Sequence, residues 1–417
     1  MVSVSAPAPT KSPARSLRRP LWLIPPLLVV VAVYWLTHPS YPLTAISREF
    51  IDLQVYRLGV QAWWHGGDMY GSLPKTTIGI SLPFIYPPFA ALALGPFAML
   101  AWHPANIAFF VVSTLALAVT LYLVARRMWR GNTELVLWAT ACAIPLGMLL
   151  EPVHSTLDFG QVNLLLMVLV AADCLAQRPK WRRGMLIGIA AAIKLTPAAF
   201  VIYFLVRKDY RSALTAALTG AAATLLAFAV MPHESARYWF GGMGNVSGLS
   251  GSAFHTNQSI QGVLSRFRVP EPAFTALWLL LSAIVLALVV TAMRRAHDEP
   301  ALMLAFNAIF TLLVSPISWS HHWVWIAPAL LAGVGVAARR PPRSALPWFA
   351  VLAATATVFV IGPQNWEPGD NNREFDWTPW QHLVGDTYVW LSVLLVALFV
   401  FGTRRAASAP EPDPART

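Results

Sequence analysis

NIAFFVVSTLALAVTLYLVA, residues 106–125, runs for twenty residues without a charge. A helix of ~20 residues crosses the ~30 Å hydrocarbon core of a bilayer. No water is present there to satisfy an unpaired backbone, so a run of this kind folds as a membrane helix. Similar runs recur at 21–37, 88–101, 134–150, 161–176, 184–205, 212–231, 272–293, 300–315, 323–338, 345–362 and 386–402. The 417 residues are 57% hydrophobic and 12% charged, where a soluble domain carries about a quarter charged residues. The fold class expected is all-α and polytopic, with about twelve transmembrane helices.

The formal net charge of +11 does not indicate nucleic acid, because Lys and Arg gather at span ends instead of on one face. Lys11, Arg15, Arg18 and Arg19 precede the first run and Arg404 and Arg405 follow the last, which puts both termini in the cytoplasm. RKDYR at 207–211, Arg294 with Arg295, and RRPPR at 339–343 agree. RRMWR at 126–130 and RPKWRR at 178–183 do not, since a strict twelve-crossing count leaves both outside. Segments 88–125 and 184–205 hold Pro96, Pro104 and Pro197, and a half-crossing or re-entrant turn there restores the sign.

Between the tails, expected to be disordered over 1–20 and 404–417, residues 21–403 read as one transmembrane domain. The first apolar run is too long for a cleavable signal and lacks a small-residue cleavage site. Cys142 and Cys174 fall inside apolar runs and read as packing residues. Asn245 and Asn257 match the N-x-Ser sequon, a match attributed to chance. Chemistry is left to three outer segments, 38–87, 232–271 and 363–385, rich in Trp, Tyr, His, Asn and Gly. Trp63, Trp64, Trp239 and Trp366 there suit an interfacial aromatic belt.

SREFIDLQVYRLG at 47–59 is the charged exception. As a helix it carries Arg48, Asp52 and Tyr56 on one face, with Phe50, Leu53 and Leu58 opposite, the pattern of a helix lying on the membrane surface. Arg48 and Asp52 at i,i+4 make an ion pair worth a few tenths of a kcal/mol. A carboxylate at a cavity mouth is equally what a sugar transfer needs as general base, to deprotonate an acceptor hydroxyl. Lys194, inside an apolar run, costs ~2.5–3.5 kcal/mol to insert and therefore tends to face a cavity or a partner; Asp158 and Asp173 are acids available to pair with it.

LPFIYPPFAAL at 82–92, AAIKLTPAAF at 191–200, HTNQSIQGVLSRF at 255–267 and SPISWSHHWVW at 315–325 join the acidic residue after the first span. Together they make the chain resemble the polyprenol-phosphate-mannose-dependent mannosyltransferases of glycosyltransferase family 87, which share the GT-C membrane fold. Within that family it is most similar to the actinobacterial α-1,2-mannosyltransferases of phosphatidylinositol mannoside, lipomannan and lipoarabinomannan synthesis. The resemblance spans about 40–330 and leaves the 363–385 loop without a motif.

The resemblance implies a polyprenyl-phosphate-mannose donor, reached at the outer face of the plasma membrane, and a phosphatidylinositol mannoside acceptor. A β-linked donor and an α-linked product imply inversion in one displacement. It implies no cofactor and no metal, and no Gly-rich phosphate loop is present. By the same resemblance Asp52 is the base, with Glu49 and Asp68 as local alternatives. Lys194 meets the lipid phosphate, His322 is preferred over His321 for the site, and Arg266, Asn257, Gln258 and Tyr86 suit hydroxyl and phosphate binding. GQVN at 160–163 opens a span and either lines the same cavity or, under the twelve-crossing count, sits on the cytoplasmic side; it is left outside the site. The alternatives are an α-1,2-branching enzyme of lipomannan, a different lipid-linked sugar, and a transporter or flippase; a transporter would show paired repeats, and no repeat is evident.

Overall fold

The computed structural model describes residues 17–38, 49–241, 251–369 and 371–407. Arg48 and Asn245 lie outside these, as do the tails 1–16 and 408–417. Residues 17–20 do not belong to a disordered tail: the Leu17 amide donates to Glu134, and Arg19–Leu23 forms a 3-10 turn into the first helix. The last helix likewise runs on to Ala407, past the expected boundary at 403.

Among the described residues the structure is helical, apart from one isolated bridge between Asn257 and Trp319. Among the described residues five helices are long and apolar enough to cross a membrane, and seven if two bent pairs each count as one span, so length and composition do not by themselves give the expected twelve. Each of the twelve apolar runs contains helix, but several are short or broken, because hydropathy stays high through a chain reversal that a proline or a lone polar residue produces.

After α1 (Ile24–Thr37), α2 (Ile51–Trp64) and α3 (Pro88–Met99), the 27-residue α4 (Trp102–Met128) is long and apolar enough to cross in one piece. Then α5 (Thr133–Met148) and α6 (Glu151–Phe159) form a pair bent by 71°. α7 (Asn163–Leu175) returns. The run 184–205 is split: α8 (Met185–Ile193) stops at Lys194, whose φ of −148° and ψ of 133° are extended, and a 3-10 turn from Thr196 leads into α9 (Val201–Val206). α8 lies close on α10 (Tyr210–Val230) because Gly184 and Gly188, four residues apart, face its backbone. A Cβ at Gly188 would sit 2.5 Å from the Ala216 carbonyl oxygen.

The remaining helices are α11 (Pro232–Phe240), α12 (Ile260–Arg266), α13 (Ala273–Arg295), α14 (Pro300–Val314), α15 (Ile326–Ala337), α16 (Pro342–Ile361), α17 (Pro379–Gly385) and α18 (Thr387–Ala407). Cys142 and Cys174 are buried and unbonded, as packing residues.

The basic loops converge on one end of the bundle. Arg127 donates to the Leu175 and Ala176 carbonyls, and Arg183 donates to the same Ala176 oxygen. Arg207 reaches the His297 carbonyl and Arg339 pairs with Glu299 at 2.5 Å. RRMWR and RPKWRR thus lie with the other basic loops; of the two proline-bearing segments, 88–125 divides into the short α3 and the long α4, and 184–205 into α8, a 3-10 turn and α9. At the opposite end of α7 and α15 the polar turns gather.

Candidate active site

α2 starts in an unusual way. Phe50, its N-cap, takes a left-handed φ of 47°, and its amide donates to the Asp158 carbonyl at 3.0 Å at the end of α6. Gly160 caps α6 at φ 63°, and a Cβ there would lie 2.9 Å from both Leu53 Cβ and Phe50 Cδ1. This contact draws α2 into the bundle: Leu53, Tyr56 and Val60 are buried. Its amphipathic pattern is thus spent on protein, with the aromatic residues before α3 and the 160–163 turn packed on its buried side.

Asp52, on the first turn of α2, has Lys194 as its charged counterpart. Burial pushes its carboxyl up to about 6, against the pull of the Lys194 ammonium and the Gln161 amide. Lys194 donates to Asn163 Oδ1 at 3.2 Å, lies 3.2 Å from His322 Nε2 and stands 5.6 Å from the centre of the Tyr86 ring. Tyr86 and Tyr56 are 3.2 Å apart at their hydroxyls, and both donate to Gln161 Oε1. Five residues distant in sequence, Asp52, Tyr86, Gln161, Lys194 and His322, therefore form one cluster.

Two cavities flank it. One, of about 690 Å³, is lined by Asp52, Glu151, Phe254, His255, Trp319 and His321 among others. The other, of about 40 Å³, is lined by Lys194, His322, Asn163 and Thr196. The rings of His321 and His322 meet edge-on at 4.8 Å, one facing each cavity.

Three expected site residues sit elsewhere. Arg266 is buried, pairs with Asp386 at 2.6 Å and donates to the Ala253, Phe254 and Asn257 carbonyls. Asn257 donates to the Ser252 carbonyl and accepts from the Ser318 amide; Gln258 donates to the carbonyls of His255 and Gly385. Their polar groups are used in tying the 253–266 segment to the 363–386 loop and the 315–322 turn, so sequence exposure misjudged a buried brace. The alternative bases are engaged as well: Glu49 accepts from Thr77 at 2.7 Å, and Asp68 pairs with Arg237 at the surface. Asp173 does not meet Lys194; it accepts from Trp181 and from the Ile187 amide at the start of α8.

The model of Glycosyltransferase family 87 matches residues 84–316. The chain belongs to this family. The polyprenol-phosphate-mannose-dependent alpha-(1-2)-phosphatidylinositol mannoside mannosyltransferase of Mycobacterium tuberculosis is 38% identical over 91% of this chain and 91% of its own. The protein of that name from Mycolicibacterium smegmatis is 37% identical over 94% and 93%. ArnT from Cupriavidus metallidurans, in a crystal structure bound to undecaprenyl phosphate, is similar with a TM-score of 0.45 at 20% identity, covering 94% of this chain and 72% of that one.

As a family 87 glycosyltransferase the chain is an integral membrane enzyme, and the candidate cluster includes residues beyond those the sequence singles out. GQVN, which the sequence leaves between the cavity and the cytoplasmic side, supplies Gln161 and Asn163 to the cluster. Glu151 was not noticed. It accepts from Ser155, Ser320, Gln364 and Tyr388, joining α6, the His321 turn, the 363–386 loop and α18. An acidic residue inside an apolar stretch is the signal that would have flagged it.

Proposed function

We propose that this enzyme transfers mannose, with inversion, from polyprenyl-phosphate-mannose to a mannosylated phosphatidylinositol glycolipid, forming an α-1,2 linkage on the outer face of the plasma membrane. Residues 21–403 act as the single catalytic unit. An acceptor hydroxyl attacks the anomeric carbon, the bond to the phosphate oxygen breaks, and the proton passes to the Asp52 carboxylate. Polyprenyl phosphate leaves with the electron pair, its new charge facing Lys194.

The observation that carries this reading is the placement of the base and the cation on opposite sides of one buried cluster, each opening on its own cavity. A carboxyl pushed up to about 6 takes a proton efficiently near neutral pH. The larger cavity, within the ~300–1,000 Å³ range of small-ligand pockets, has Phe254 and Trp319 to stack on sugar faces and acids to accept from hydroxyls, which suits a neutral glycan. The small cavity at Lys194 suits a phosphate. Tyr86 orients the lysine, His322 accepts from it, and Arg266, Asn257 and Gln258 hold the outer loops around the acceptor cavity. The names of the mycobacterial relatives support the donor and the acceptor class. The basic loops at the far end support an extracytoplasmic site by the positive-inside rule.

Membranes carrying the enzyme, given polyprenyl-phosphate-mannose and phosphatidylinositol mannoside, are expected to form an alkali-stable mannolipid of one added hexose. Movement of donor lipid across the bilayer without bond change would make the protein a transporter. In a deletion strain, accumulation of an early inositol mannoside supports the acceptor named here, and accumulation of unbranched mannan would replace it with lipomannan.

A further inference from the structure

We propose that the turn at 160–163 is the positioning element of the reaction, with Gln161 orienting the Asp52 carboxylate and Asn163 holding the Lys194 ammonium. The inference rests on the roles of Asp52 and Lys194 given above.

The turn is locked from both sides. Gly160 packs against α2 at its N-cap Phe50 and at Leu53, the residue after Asp52, so closely that a Cβ at 160 would lie 2.9 Å from each. The Gln161 amide nitrogen of the backbone donates to the Thr156 carbonyl at 2.9 Å, and its side-chain oxygen accepts from Tyr56, Tyr86 and the Val162 amide. With its oxygen so occupied, the side-chain NH2 faces Tyr86 and the Asp52 carboxylate as a donor. Asn163 is oriented by the opposite logic. Its NH2 donates to the His321 carbonyl at 2.9 Å and to Thr156 Oγ1 at 3.3 Å, so only its oxygen remains for Lys194. An amide flipped the other way would set NH2 against an ammonium. Two residues apart, one amide turns its NH2 toward Tyr86 and the side of the base, and the other accepts from the cation. The pair keeps the carboxylate and the ammonium at a fixed separation without letting them collapse into a direct ion pair. None is formed in the structure among the described residues.

Other groups act on Asp52 too. Lys194, Tyr86 and Tyr56 surround it, and Glu151, His154, Asp158 and His321 line the same cavity. The Gln161 contribution is therefore separated by changing Gln161 alone.

The test uses full-length enzyme in lipid nanodiscs, with polyprenyl-phosphate-mannose as donor and octyl α-mannoside as acceptor. Gln161→Leu removes the donor and Gln161→Glu replaces it with a like charge at the same volume. In both, the acid limb of kcat/KM is expected to move to higher pH, further for Glu than for Leu. Asn163→Leu is expected to raise the donor KM about tenfold or more while the acceptor KM changes less than twofold, the size of losing a hydrogen bond to a charged group. Asn163→Ala serves if the Leu variant does not fold, as Gln161→Glu does for Gln161→Leu. An acid limb at its wild-type position in the folded Gln161 variants, or equal changes in both KM values at Asn163, would overturn the inference while wild-type transfer continued. Absence of transfer by the wild type overturns the functional reading itself and this inference with it.

Discussion

Lys194 Nζ lies 3.2 Å from His322 Nε2, and this contact fixes the histidine as a neutral acceptor. Burial, the ammonium and the His321 ring hold the His322 imidazole well below its usual range, and its other nitrogen serves the Ile317 backbone. The lysine is thus placed by a histidine and an asparagine that take nothing from its charge, which stays available to a phosphate. Lys194→Ala is expected to weaken donor use at least tenfold, with the acceptor KM nearly unchanged, and Arg at the position to rescue in part. His322→Ala should shift the same constant in the same direction by less. Steady-state kinetics with each substrate varied in turn measures both. An unchanged donor KM in a folded Lys194→Ala protein would place the phosphate elsewhere.

The pH profile follows from the same neutral histidine. Because His322 does not charge near neutrality, the acid limb of kcat/KM is assigned to Asp52, whose carboxyl is raised to about 6. A base must be ionised to act, so activity is full above the raised value and is lost as pH falls through about 6. A limb at the ordinary value of a solvated carboxylate would mean that the base is not Asp52.

Arg266 and Asp386 are expected to behave as structure. Their pair is buried, with side chains 0% and 7% exposed, and removing one partner strands the other charge at a cost of about 3–5 kcal/mol. Arg266→Ala should lower the melting temperature sharply. The double change Arg266→Met with Asp386→Leu should recover much of it, because no lone charge remains buried. A folded Arg266→Ala enzyme with normal stability and a raised donor KM would return Arg266 to the substrate site.

The helical class and the membrane setting were legible because apolar runs of bilayer length leave one structural solution. Lys194 was legible as a candidate because a charge inside such a run is costly and needs a reason; Asp52, His322 and Tyr86 were reached only through the family resemblance. Gln161 was not, since hydropathy gives one sign to a crossing and to a reversal. With α3 ending at Met99 after twelve residues and not counted as a crossing, parity changes, and 160–163 falls on the side of Asp52. Arg266 was misread for a related reason: an Arg in a polar outer loop has the same local sequence whether it meets solvent or a buried Asp386 on a segment 120 residues away.

Orientation is tested at Ser72, which is exposed in the segment between α2 and α3. The two native cysteines are buried, so a Ser72→Cys thiol should dominate labelling. It should react with a membrane-impermeant maleimide in intact cells. Protection until lysis would reverse the topology and remove the outer-face mechanism.

The carboxylate itself gives the sharpest outcome, because activity and stability should move in opposite directions. Asp52→Asn keeps the shape of the side chain and its hydrogen bonding but cannot take a proton, so transfer should fall by the ~10²–10⁴-fold typical of general-base catalysis or more. An acid whose folded-state value is raised from 3.8 to about 6 is held in its ionised form against the preference of the fold. That cost is absent at pH below the unfolded value, grows between the two, and is complete above about 6. At pH 7.5 it amounts to at most ~3 kcal/mol, less for the part of Asp52 that opens on the cavity. The amide resembles the neutral acid and escapes the cost, so Asp52→Asn should melt at or above the wild-type temperature at pH 7.5, the gain vanishing toward pH 4. A residue that served the fold through its charge would instead lose stability on the same change. Thermal melts at both pH values, beside mannosyl transfer assays on the same preparations, distinguish the two. Transfer above about a tenth of wild type, short of the general-base range, would move the base to another carboxylate of the cavity.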